Sequence, residues 1–146
     1  MAISSLSVLV FLVMSTWPIT YVATTSVDSC FLLTRWHVFV INDISEDITV
    51  RIRSKDDDLG THTLPFNGSY DWTFCDTGRT LFYSGFWWGS KYQTLNLFDR
   101  DTWKKCANGS FDSQFCYWLV RPEGFYTSPQ NNPYPDGSWH FEKKWS

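Results

Sequence analysis

The stretch that decides the fold reads Ile48-Thr49-Val50-Arg51-Ile52-Arg53-Ser54-Lys55-Asp56-Asp57-Asp58-Leu59-Gly60. Ile48, Val50 and Ile52 alternate with Thr49, Arg51 and Arg53, which is the period of a strand with one buried face. The three adjacent carboxylates that follow repel one another, so the run after the strand is a solvated loop hung on a sheet. Such a loop is either a recognition surface or a turn kept soluble by its charges. At least one of the three Asp side chains is expected to cap backbone amides where the next strand starts.

Working outward, residues 37–41 form a short apolar run, and the polar Asn42-Asp43-Ile44-Ser45-Glu46-Asp47 turns it into the strand at Ile48 as a hairpin or close neighbour. Residues 61–64 are extended up to Pro65. Asn67-Gly68 then turns the chain into a strand at 70–75, with Tyr70, Trp72 and Phe74 on one face. Residues 79–88 read as a central strand, apolar almost throughout, with Gly85 and Gly89 marking a bulge or its end. Residues 92–98, 114–121 and a brief Phe125-Tyr126 complete the set, and no segment carries sustained helical apolar spacing. The class is therefore all-β: a small, disulfide-stabilised antiparallel β-sandwich of about 6–8 strands. Residues 127–146, with Pro129, Pro133 and Pro135, read as a loop-rich extension of the 27–126 domain. It is expected to pack at least partly on that domain, because leaving Trp139, Phe141 and Trp145 in water forgoes about 1.5–3 kcal/mol each.

Residues 1–23 read as a secretory signal peptide, cleaved between Ser15 and Ser26. Met1 to Met14 is almost wholly apolar, no charged residue precedes Asp28, and the apolar core is shorter than the roughly 20 residues that span a bilayer. The region departs from type in lacking Lys, Arg and a clean small-x-small site, and an uncleaved signal anchor is the alternative. Beyond it lie about 120 residues, enough for one core. The 19% aromatic content excludes a disordered chain. A net charge of -3 with no long basic tract gives nucleic-acid binding no support. Cys30, Cys75, Cys106 and Cys116 all follow the leader, so an exported chain forms two disulfides out of three possible pairings. Cys106 with Cys116 is favoured because Asn108-Gly109 turns the chain between them, which leaves Cys30 with Cys75. Asn67-Gly68-Ser69 and Asn108-Gly109-Ser110 make Asn67 and Asn108 candidate glycosylation sites.

Catalytic patterns are missing from the sequence. There is no Gly-x-Ser-x-Gly elbow, and His37, His62 and His140 have no neighbour that implies a nucleophile. Scattered histidines and the lack of a CxxC do not suit zinc. Asp56 and Asp58 lie two apart, but Gly60 falls where a calcium loop needs a ligand and no bidentate Glu follows. The reading is a non-enzyme with no cofactor and no metal.

The heptad at 54–60, with Leu64-Pro65-Phe66-Asn67 and Tyr70-Asp71-Trp72-Thr73-Phe74 after it, resembles the plant self-incompatibility protein family, the S-protein homologues. Thr80-Leu81-Phe82-Tyr83, Phe86-Trp87, the pair Cys106 and Cys116-Tyr117-Trp118, and Glu123-Gly124-Phe125-Tyr126 extend the likeness over residues 37–126. The resemblance implies a small secreted extracellular plant protein that signals through a plasma-membrane receptor or another extracellular protein, in reproduction or self-incompatibility-like recognition. By position it puts recognition on two loops, with Asn42, Asp43, Ser45, Glu46 and Asp47 on one and Lys55, Asp56, Asp57 and Asp58 on the other. Members commonly carry cysteines where this chain has Ile52 and Ser84. Their joint loss implies one missing bridge, with Cys30 and Cys75 as its replacement. The competing function is a non-catalytic carbohydrate-binding or defence-related structural protein of the apoplast, using exposed aromatics among Trp87, Trp88 and Tyr92. Trp87 and Trp88 are adjacent on a strand and face opposite sides, so at most one of them joins such a platform.

Overall fold

The computed structural model describes residues 30–110 and 112–146. The leader read in residues 1–23 lies outside them. In chain order the elements are β1 (Thr34–Asn42), β2 (Ile48–Arg53), β3 (Asp58–Leu64), β4 (Ser69–Asp76), β5 (Phe82–Trp88), β6 (Lys91–Phe98), α1 (Arg100–Cys106), β7 (Ser113–Arg121), β8 (Gly124–Ser128) and β9 (His140–Lys143). They build a five-stranded sheet, β4-β1-β7-β8-β9, and a four-stranded sheet, β3-β2-β5-β6. Every pairing is antiparallel except β1 with β7, which is parallel. The wholly antiparallel expectation fails there, because a parallel partner distant in sequence leaves no local turn to announce it. The strand count exceeds the expected range because β9 is set in the proline-rich tail.

Alternation supplies the core. Trp36, Val38 and Val40 of β1, Ile48, Val50 and Ile52 of β2, Phe86 of β5 and Val120 of β7 are essentially solvent-free, and both sheets feed one buried cluster. Ile52 and Ser84 are register partners across β2 and β5, and both are buried. The two positions at which the resemblance implies cysteines therefore face each other here. In their place Ser84 Oγ donates to Leu95 O at 2.9 Å. Gly85 is paired in register, and the irregularity of that strand falls at Phe82/Tyr83 instead.

β1 and β2 do not form a hairpin; they lie in different sheets. Asn42, fully buried, makes the crossing. Its Nδ2 donates to Glu46 O at 2.8 Å and Leu64 O at 2.9 Å, and its Oδ1 accepts from Ile44 N at 2.9 Å. Its backbone joins the opposite crossing as well, through Asn42 N to Gly68 O and Asn67 N to Asn42 O. One side chain thus holds together two passages between the sheets.

α1 has only seven residues, too few for an apolar period to be read. Asp99 caps it by accepting from Thr102 N at 2.9 Å, and Asp101 in the first turn with Lys104 and Lys105 in the last suit its dipole. Cys106 at its end is bonded to Cys116 of β7, and Cys30 to Cys75 of β4. In the tail, the Trp145 ring meets Phe125 at 4.6 Å and Trp88 at 5.7 Å, and its indole N–H donates to Arg121 O. Lys143 Nζ donates to Thr94 O at 3.0 Å and Ser146 N to Tyr92 O at 3.3 Å, so the chain end lies along the β6 edge. An edge strand covered in this way is shielded from adding another chain.

Candidate functional site

The two candidate loops lie at opposite ends of β2. Six residues separate them, about 20 Å at strand rise, so they do not form one surface.

In the first loop, Asn42 is the crossing residue just described, and Ile44 is buried beside it. Asp43 is bound to Arg121, which also donates to Glu123 Oε1 at 2.7 Å and lies 3.8 Å from the Tyr134 ring centre. Burial is the largest single influence and raises the Glu123 carboxyl pKa, but the Arg121 hydrogen bond and charge, together with the Glu123 amide and the Tyr126 hydroxyl, hold Glu123 below its ordinary range. The hydrogen bond with Tyr134, then burial, push the Tyr126 phenol well above its ordinary value. Asn42 and Asp43 are therefore framework; Ser45, Glu46 and Asp47 are exposed.

The second loop is held at its base and free at its tip. Ser54 closes it, with Ser54 N donating to Asp57 O at 2.7 Å and Asp57 N to Ser54 Oγ at 3.0 Å. Asp58 starts β3 as the expected cap, its Oδ1 accepting from Gly60 N at 2.9 Å and its Oδ2 from Arg51 at 3.1 Å. Gly60 takes φ +82°, where any other L residue would be strained, next to a register shift at Ile52/Arg53. The Gly60 amide, then Arg51, lower the Asp58 pKa from its ordinary 3.8. The fold then contains a carboxylate with a depressed pKa. Its stabilisation is complete above pH 3.8 and is lost as pH falls through the folded value. We expect Asp58→Ala to lower the melting temperature at neutral pH while Asp56→Ala and Asp57→Ala leave it unchanged, and the Asp58 deficit to close on acidification. Equal effects from all three variants in thermal melts across that range would refute the cap.

Lys55, Asp56 and Asp57 are exposed, with no side-chain partner among the described residues. Beside them opens a cleft of about 560 Å³ whose other wall includes Phe74, Arg79, Leu81 and Tyr83. The sequence reading missed this wall, because the β4–β5 turn comes next to the Asp loop only once the sheets are formed. Asn67 and Asn108 are both exposed, as a glycan acceptor must be. Among the described residues no three His, Cys, Asp or Glu side chains converge in a way that could hold a metal ion.

Tyr83, Trp87 and Tyr92 are all about two fifths exposed on the outer face of the four-stranded sheet. Trp88 faces the other way, toward Trp145, with Lys91 Nζ 4.7 Å from its ring centre.

Residues 37–145 match the family model described as plant self-incompatibility protein S1. The chain is similar to S-protein homolog 5 of Arabidopsis thaliana, 33% identical over 79 residues that cover 53% of this chain and 57% of the relative. It is similar to S-protein homolog 2 of the same plant, 29% identical over 103 residues that cover 68% of this chain and 63% of the relative. It thus spans about six tenths of the length of these curated relatives. A solved structure of SPH (Self-Incompatibility Protein Homologue) proteins, a family described with it as widespread, small, highly stable and secreted from plants, superposes with a TM-score of 0.58. That likeness covers 79% of this chain and 97% of the other at 17% identity, and at that identity it speaks for the fold. With a family model matched over most of its length, from the β1 strand to the buried Trp145, this chain belongs to the plant self-incompatibility protein S1 family.

Proposed function

We propose that the chain is a secreted extracellular ligand, recognised by a plasma-membrane receptor through the loop at residues 54–57 and the cleft beside it, and that it acts without catalysis. In this reading the two sheets pack face to face as a β-sandwich, a rigid disulfide-stabilised support. The observation that carries it is the contrast within one loop: Ser54 and Asp58 fix its base, while Lys55, Asp56 and Asp57 project with no internal task. Charges held out on a fixed base are arranged for electrostatic recognition. Membership of the S1 family and the secreted character described for the structural relative support export and an extracellular role, in reproduction or a related form of cell-cell recognition.

The test is crosslinking of the purified protein to the surface of cells from the expressing tissue. We expect saturable capture of one membrane protein, weakened on the order of tenfold by Asp56→Asn with Asp57→Asn, with a shallower salt dependence. The melting temperature of that variant should match the parent's. Capture that is unchanged in the folded variant would sink the loop as the contact. Exchanging Ser45, Glu46 and Asp47, at the far end of β2, should leave capture intact.

A further inference from the structure

The outer face of the four-stranded sheet carries a groove of about 670 Å³ that the loop-based reading leaves unused. Its floor is Gly85, an interior residue of β5. Along its own strand Gly85 lies between Tyr83 and Trp87, and across the strands between Arg51 and Thr94. A glycine here weakens a strand unless something approaches its backbone closely. The Trp87 indole does so. Its ring atom Cη2 lies 2.9 Å from where a Cβ would stand, and the Tyr92 hydroxyl lies at 3.3 Å. The result is a dent with an exposed indole leaning over it, its ring centre 5.1 Å from that of Tyr92.

Around the dent stand polar groups from β2, β6, α1 and β9. Their charges largely cancel: Arg51 is paired with Asp58 at 3.1 Å and Lys105 with Glu142 at 2.6 Å. Arg53 lies over the Tyr83 ring at 5.4 Å, Lys143 binds Thr94 O, and Asp101 is exposed. Donors and acceptors are therefore interleaved without a dominant sign, which does not suit a polyanion. The β6 edge is already bonded: Thr94 N donates to Gln93 Oε1, while Thr94 O and Tyr92 O accept from the tail. No strand is added there. An exposed aromatic ring beside mixed donors and acceptors matches a ligand with one apolar face and a rim of hydroxyls, each of which both donates and accepts.

We infer that this groove binds an uncharged saccharide chain, with one pyranose ring on Trp87 and its hydroxyls read by Arg51, Arg53, Thr94 and Asn96. The site adjoins the cleft beside the loop at 54–57, with Tyr83 on the boundary between them, but it does not include residues 54–57 and does not depend on their having a receptor. Titration calorimetry of the full chain with cellohexaose is the test, with a galacturonate hexamer as the charged comparison. Cellohexaose should bind saturably, about tenfold or more weaker in Trp87→Ala, whose melting temperature stays at the parent's. Gly85→Ala should weaken it too, because the new methyl displaces the indole. Trp88→Phe, altered on the buried side, should keep the affinity. Absence of saturable binding, equal affinity in folded Trp87→Ala, or tighter binding of the galacturonate each overturns the proposal. So does a Trp87→Ala defect confined to capture of a cell-surface protein, which would make the face a protein contact.

Discussion

Asn42→Ala is expected to lose about 3–5 kcal/mol of stability, a large share of the roughly 5–15 that a domain of this kind has. The substitution removes three hydrogen bonds at about 1 kcal/mol each. It also strands the Ile44 amide and the Leu64 carbonyl in a buried corner, where an unmet polar group costs about 1–3 kcal/mol. Asn42→Asp separates the contributions: a carboxylate still accepts from Ile44 N but donates to neither carbonyl, so most of the loss should remain. Alanine at Ser45, Glu46 or Asp47, all exposed, should change stability by no more than about 0.5 kcal/mol. Urea unfolding of the set is the measurement. A loss under about 1 kcal/mol for Asn42→Ala would show that the passages between the sheets are held by something else.

Asn42 also shows where reading the chain runs out. The inward residues of β2 and β4 were legible, because alternation depends only on the pleat and the need to bury one face. Whether a strand continues in its own sheet or crosses to the other depends on partners far away in sequence. A buried Asn in a polar run therefore looks like a solvated turn residue until Leu64 and Gly68 are brought against it. The same blindness hid the parallel β1–β7 pair. Within the Asp run three identical side chains differ in duty because the strand start falls on Asp58, a placement set by Gly60 and Arg51. Parity showed that Trp87 and Trp88 face opposite ways. Which of them faces out was settled by Phe86 going into the core beside Phe125, which leaves Trp87 on the outer face.

Reduction of both disulfides should leave the chain largely unfolded at about 37 °C. On the loop-closure model the Cys106–Cys116 bridge, spanning 10 residues, contributes about 3 kcal/mol, and Cys30–Cys75, spanning 45, about 4. Together they approach the whole stability expected of the domain. The two bridges should also fail differently. Cys106 and Cys116 are wholly buried, and their bond fastens the end of α1 to β7. A seven-residue helix does not persist alone in water, so removing this bridge should release α1 as a unit. Cys30 lies ahead of β1, whose eight register pairs with β4 stand independently of the sulfur bond. Removing it should loosen residues 30–33, where Phe31 and Leu32 are already exposed, and lower global stability without local opening elsewhere. Hydrogen exchange on Cys106→Ala with Cys116→Ala and on Cys30→Ala with Cys75→Ala distinguishes the two. Amides of α1 should lose protection ahead of the sheets in the first variant and keep it in the second. Retention of α1 protection in both, or a cooperative melt of the fully reduced chain near the oxidised midpoint, would mean that the shared core holds the fold without the bridges.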